Sequence, residues 1–139
     1  MSNALYSFSE ETLQKLRKFR FGSARSDDVQ ALIYQIDKTT YEIKLDESAE
    51  SPITSIEELV EELPDNSPRY VVLSYPITLK DGRKSSPLVL VYWLPPTSTQ
   101  SLRMLYAAAL ELIREKAGVS KLIEIDDEED FEDIEEKVL

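Results

Sequence analysis

The densest run of chemically capable side chains lies near the C-terminus, where Asp126 to Asp133 places seven carboxylates in eight positions. Such a run invites comparison with calcium loops, whose ligands alternate along the chain around a central glycine. The segment has neither the alternation nor the glycine, so no metal site is expected. Nucleophilic chemistry fares no better. Serines are common, but there is no histidine to act as general base and no cysteine to act as thiolate. A hydrolase would need a Ser-Lys pair, and no spacing speaks for one. The three glycines, Gly22, Gly82 and Gly118, are too scattered for a GxGxxG or Walker phosphate loop. Paired acids at glycosidase separation do not follow from one helix face. The expectation is a protein that is not an enzyme and carries no cofactor; a hydrolase or metal enzyme reusing the fold is the reading this inventory opposes.

Charge separates the chain into blocks. The total is −11. Residues 1–46 are balanced, 47–65 carry −7, 66–123 carry +5 and 124–139 carry −9. Nucleic acid is not expected as a partner, because a phosphate track needs a dominant positive field. There is no run of about eighteen apolar residues, and residues 1–20 show no apolar stretch followed by a small-residue cleavage site. No membrane contact is expected, and the chain reads as a soluble, cytoplasmic monomer. Its 139 residues suit one domain with a core of its own, and no repeat or linker interrupts residues 1–139.

The elements follow from periodicity. Ser9 caps a first helix, Glu10 and Glu11 complement its dipole, Phe8 staples to Leu13 and Gly22 closes it. Leu13, Leu16 and Phe19 face inward, leaving Lys15, Arg17 and Lys18 outside. Residues 29–36 and 41–45 read as a hairpin whose second strand has one wet face. A capping box from Ser55 to Glu58 opens a second helix with Ile56, Leu59, Val60 and Leu63 inward, ended by Pro64. Residues 69–79 and 85–94 form a second hairpin, for which Asp81-Gly82 predicts a tight primed turn. Leu88 to Leu94 is continuously apolar, as a strand covered on both faces requires. A long helix from about Ser98 to Lys116 then crosses to a strand at Lys121–Ile125, predicted parallel to its neighbour. An acidic terminal helix packs Phe131, Ile134 and Val138 inward. The class is a mixed α/β sheet with helices on its faces.

The long helix contains SLRMLYAAALEL (101–112). Leu102, Leu105, Ala109, Leu112 and Ile113 form the expected apolar stripe, with Tyr106 at its border. Met104 falls about 140° from the stripe's centre at about 100° per residue, beside Arg103, Ala107 and Ala108. An apolar residue and small alanines thus occupy the face that water should hold.

Several motifs carry a resemblance. VYWLPP (91–96) followed by RMLYA (103–107) resembles the actin-depolymerising-factor homology domain, the cofilin fold. KLRKFRF (15–21), ELPDNSPRYVVLSY (62–75), DGRKSSPL (81–88) and KLIEI (121–125) are similar to its glia maturation factor subfamily, from Leu13 to the terminal helix. The resemblance implies a five- or six-stranded mixed sheet enclosed by helices. It also implies binding to the actin-related protein 2/3 complex, inhibition of branched actin nucleation, disassembly of filament branches, and residence in the cytoplasm at cortical actin structures of the cytoskeleton.

By position, the resemblance implies a first partner surface of Ser2, Asn3, Arg103, Met104 and Ala107, which enters the cleft of an actin-like subunit. Met is adaptable and alanines permit close approach. A second surface, matching Lys80, Arg83 and Lys84, would touch the first actin subunit of the daughter filament. Ser2 matches the position at which cofilins are regulated by phosphorylation. Where animal glia maturation factors continue Tyr106-Ala107 with a Gly-Ser-Lys-like run, this chain has Ala108-Ala109-Leu110; the cofilin pattern likewise has a basic residue in that region, and its absence here argues against strong actin binding. Trp93 and Arg103 are more cofilin-like, so filament binding and severing stands as the alternative function.

Overall fold

The computed structural model describes residues 5–23, 27–46, 53–119 and 121–139. Six strands form one sheet in the order β1 (Ser7–Phe8), β3 (Glu42–Leu45), β2 (Gln30–Ile36), β4 (Arg69–Ser74), β7 (Leu88–Trp93), β8 (Lys121–Ile125). The four central strands are antiparallel to one another, while the edge strands are parallel to their neighbours, β1 to β3 and β8 to β7. The crossover expected before Lys121 is therefore present. The edge strand β1 was not expected, because two residues are too few to show a period of two.

Alternation along the central strands sorts their side chains into two cores. Tyr34, Tyr70, Val72, Leu90 and Tyr92 point to one face, where they meet α1 (Glu10–Ser23) and α3 (Gln100–Ala117). Ile33, Val71, Leu73, Val89, Val91 and Trp93 point to the other. That face is covered by α2 (Ile56–Glu62), a 3-10 segment (Glu128–Asp133) and α4 (Ile134–Val138). The apolar run at Leu88–Leu94 is thus a strand buried on both sides. Phe131, Ile134 and Val138 face inward as expected, although the terminal helix begins as a 3-10 segment. Trp93 is part of this second core: its Nε1 donates to the Pro64 carbonyl at 2.6 Å.

Caps set the helix ends. The Ser9 hydroxyl accepts from the Thr12 N–H at 3.0 Å, and that of Ser55 from the Glu58 N–H at 3.1 Å. Thr99 caps α3 by accepting from the Leu102 N–H, and Gly118 ends it in the left-handed region with φ 64°.

The second hairpin differs from expectation. It leaves the large sheet and continues as a separate pair, β5 (Ile77–Thr78) with β6 (Lys84–Ser85). At its tip the Gly82 N–H donates to the Leu79 carbonyl and the Leu79 N–H to the Arg83 carbonyl. Gly82 has φ 89°, but Asp81 does not have positive φ. A type I′ turn needs positive φ at both central residues and a type II′ turn at the first, so Asp81 excludes both, and this is the three-residue loop with glycine in the left-handed position. The Asp-Gly pair marks the turn, shifted by one position.

Candidate functional site

Helix α3 builds the first surface. The centre of its buried face is Tyr106, Ala109, Ile113 and Ala117, not the Leu102–Leu105–Leu112 line. Those leucines are half-buried flanks. The stripe is rotated because the Tyr106 hydroxyl has a buried partner, accepting from the Ile36 N–H at 2.9 Å. Tyr70, beneath the helix, donates its hydroxyl to the Tyr106 carbonyl. Rotation leaves Met104 63 % exposed, with Ala107 and Ala108 also exposed. The face inferred from angular position is therefore on the surface.

Arg103 sits differently from a freely solvated charge. It is half-buried, and its Nη1 lies 3.4 Å from the Pro95 carbonyl. Burial and the Glu124 carboxylate push the Tyr92 phenol up to about 12, against the pull of the Arg103 guanidinium. The cation is thus oriented by the strand ends beneath it and offers only part of its fork to a partner. Ser2 and Asn3 lie outside the described residues.

Four residues that sequence reasoning did not select complete this surface. Leu5, Tyr6, Lys38 and Tyr41 join Ser101, Leu102, Met104 and Leu105 around a shallow groove of about 410 Å³. Tyr6 donates to the Leu105 carbonyl at 2.9 Å and stacks on Tyr41, with ring centroids 5.6 Å apart. Tyr41 is held at φ 63°, where a bulky side chain is strained. The hydrogen bonds that impose this come from Asp37, whose carboxylate accepts the Thr39 and Thr40 N–H groups at 2.8 and 3.1 Å. Asp37 also accepts the Tyr41 N–H on its carbonyl. Those amides, the Thr40 N–H foremost, hold the Asp37 carboxyl below its ordinary range. An Asp whose carboxylate can accept the amides two and three residues on, as in Asp37-Lys38-Thr39-Thr40, signals such a turn, but nothing local reveals that Tyr41 reaches Tyr6 across the sheet edge.

The second surface is the hairpin tip. Lys80, Arg83 and Lys84 are all exposed there. Arg83 donates its Nε to Asp81 at 2.7 Å, which holds its guanidinium along the turn. The two sets of residues lie on different elements, α3 and the β5–β6 hairpin. Among the described residues no three carboxylates gather in a way that could hold a metal ion, and no helix is long and apolar enough to cross a membrane.

A mixed sheet between two helical layers, with an exposed Met-Ala face on the long helix, is the architecture on which comparison with known proteins bears. The profile of cofilin/tropomyosin-type actin-binding proteins matches residues 5–139, and the chain belongs to that family. Its similarity within the family runs to glia maturation factor. It is 36 % identical to human glia maturation factor beta over 88 % of this chain and 84 % of that protein. It is 49 % identical to Protein AIM7 of Saccharomyces cerevisiae, over 99 % of this chain and 98 % of that one. The solution structure of glia maturation factor from Caenorhabditis elegans superposes with a TM-score of 0.79 at 36 % identity, covering 96 % of this chain and 95 % of that one.

Proposed function

We propose that this protein binds the actin-related protein 2/3 complex, inhibits branched actin nucleation and promotes disassembly of existing branches in the cortical cytoplasm. The observation that carries the reading is the exposed Met104–Ala107–Ala108 face on the first half of α3, in a chain similar to glia maturation factor. That face, with Arg103 at its rim and Leu5 and Tyr41 beside it, offers an apolar ridge to the cleft of an actin-related subunit. The hairpin cations Lys80, Arg83 and Lys84 supply a second contact, to the first actin of the daughter filament.

No bond is made or broken in this mechanism. Binding energy does the work, and only a difference in affinity shifts an equilibrium. The protein must hold the complex released from the junction more tightly than the intact junction, where the daughter filament competes for the same surfaces.

The test is direct. Branched filaments assembled from purified components should lose branches faster as the protein is added, and pull-down should retain the actin-related complex. Unchanged branch lifetime at saturating protein sinks the proposal. Robust pelleting with unbranched filaments, accompanied by severing and no retention of the complex, would favour the cofilin-like alternative. Trp93 no longer argues for that alternative, since its side chain is committed to the core.

A further inference from the structure

KLRKFRF (15–21) contributes only Leu16 and Phe19 to the buried core. The rest of the motif builds a distinct surface at the far end of α3. Arg17, Arg20 and Phe21 fall at i, i+3 and i+4 and so share one face of α1. Beside them Lys116 and Ala117 end α3. Together with Leu13 and Leu16 these residues line a groove of about 360 Å³ between the two helices. Phe21 is 63 % exposed. No acid lines the groove.

The cations here are uncommitted. Lys15 and Arg114, at the margins, pair with Glu11 and Glu111. Arg17, Arg20 and Lys116 make no ion pair among the described residues. Arg20 is nevertheless fixed in place: a Cβ at Gly118 would come within 2.6 Å of its Nη1, so the guanidinium packs on the glycine that ends α3. The molecule thus concentrates positive charge around one exposed aromatic ring, in a chain of net charge −11.

We propose that the groove formed by Arg17, Arg20, Phe21 and Lys116 is a docking site for an acidic peptide segment of another protein, a run of Asp and Glu bearing one apolar side chain that packs on Phe21. Charge complementarity selects this occupant. A short peptide samples only the field within about 8–10 Å at moderate salt, and that field is positive here. An anionic bilayer presents a plane wide enough to meet the acidic surfaces as well, and the net charge repels it. A bare phosphate would satisfy the cations and leave Phe21 in water.

The probe is a fluorescein-labelled peptide of Asp and Glu around one central Phe, titrated with the full chain and read by fluorescence anisotropy. Saturable binding that weakens as salt rises from about 50 to about 300 mM is expected. Arg17→Glu with Lys116→Glu should weaken it more than about tenfold, and Phe21→Ser by about fivefold or more, as for central interface residues. Circular dichroism should show both variants folded, because all three side chains are exposed. Lys80→Glu with Arg83→Glu should leave peptide binding unchanged. The proposal is overturned if the hairpin variant loses as much binding as the groove variant, or if no saturable binding occurs up to about 1 mM, the scale of weak contacts. Phe21-dependent binding to phosphatidylserine vesicles without peptide binding also overturns it, making the surface a lipid site.

Discussion

The Tyr6 hydroxyl donates to the Leu105 carbonyl at 2.9 Å, across 99 positions of sequence. This bond ties the residue just before β1 to the second turn of the long helix. Because the same ring stacks on Tyr41, one side chain sets the spacing between the β2–β3 turn and Met104. Tyr6→Phe keeps the stack and removes the bond. It should cost about 0.5–1.5 kcal/mol of stability, the net worth of an ordinary hydrogen bond. Denaturant unfolding measures the first effect. Calorimetric titration with the actin-related complex should show weaker affinity as the groove loosens.

Met104→Ala separates binding from folding. The side chain is 63 % exposed, so no cavity opens and alanine is locally favourable in a helix. Melting temperature should barely move. Together with Arg103→Ala, affinity for the actin-related complex should fall by about 2–4 kcal/mol, as for central interface residues. The double variant will melt slightly lower than Met104→Ala alone, because Arg103 is half-buried against the Pro95 carbonyl. A large early melt for Met104→Ala would place that residue in the core.

Arg83→Ala with Lys84→Ala addresses the second surface. Both residues lie at the tip of a strand pair outside the main sheet, so folding should be unaffected. Affinity for the isolated complex should stay near that of the parent, while branch disassembly, followed by microscopy, should slow. Equal loss of both would show that one surface does all the work.

Tyr106→Phe tests what rotates the helix. The mutation leaves the Ile36 N–H buried without its partner, which costs about 1–3 kcal/mol. Leu105→Ala should cost less than the roughly 2–5 kcal/mol of a fully buried leucine, since it only flanks the buried face. Thermal unfolding of the two variants side by side measures the ranking.

The β2–β3 turn carries a pH signature. Asp37 is ionised more readily in the folded chain than its ordinary value of 3.8 implies, so the turn contributes stability above that pH. The contribution is lost as pH falls through the lower, folded value, because protonation removes the acceptor that binds Thr39 and Thr40. Asp37→Ala should therefore melt below the parent at neutral pH, and the gap should close in acid. A gap that persists unchanged below the carboxylate range would assign the turn's rigidity to another group.

Legibility in the sequence followed the range of the interactions. Ser9 and Ser55 were readable as caps because a cap is settled within three residues, and Leu88–Leu94 as a doubly covered strand because its apolar run is unbroken. The parallel pairing of β8 followed from the helix before it. The rotation of α3 was not readable, since it depends on Tyr106 reaching Ile36, 70 positions away. Met104 was found by angle alone. Tyr6, Lys38 and Tyr41 were missed because three separate segments assemble the groove, and Tyr41 was assigned to a strand when the Asp37 carboxylate in fact bends it into a left-handed turn. Arg103 was correctly placed on the outward side, but its half-burial against Pro95 is a tertiary contact without a local signal.

Helix α3 is 18 residues long, a rod of about 27 Å at 1.5 Å per residue. Met104 and Lys116 are separated by about 18 Å along it, and the Tyr6, Tyr70 and Tyr106 hydroxyls clamp its first half to the body at Leu105 and Tyr106. The helix therefore acts as a ruler. A ligand in the groove beside Lys116 and a subunit on Met104 would be held at a fixed separation without touching each other. A partner bearing an acidic tail on a linker of matching reach would gain from effective concentration rather than from any new contact, and shortening that linker would abolish the gain while leaving both surfaces unaltered.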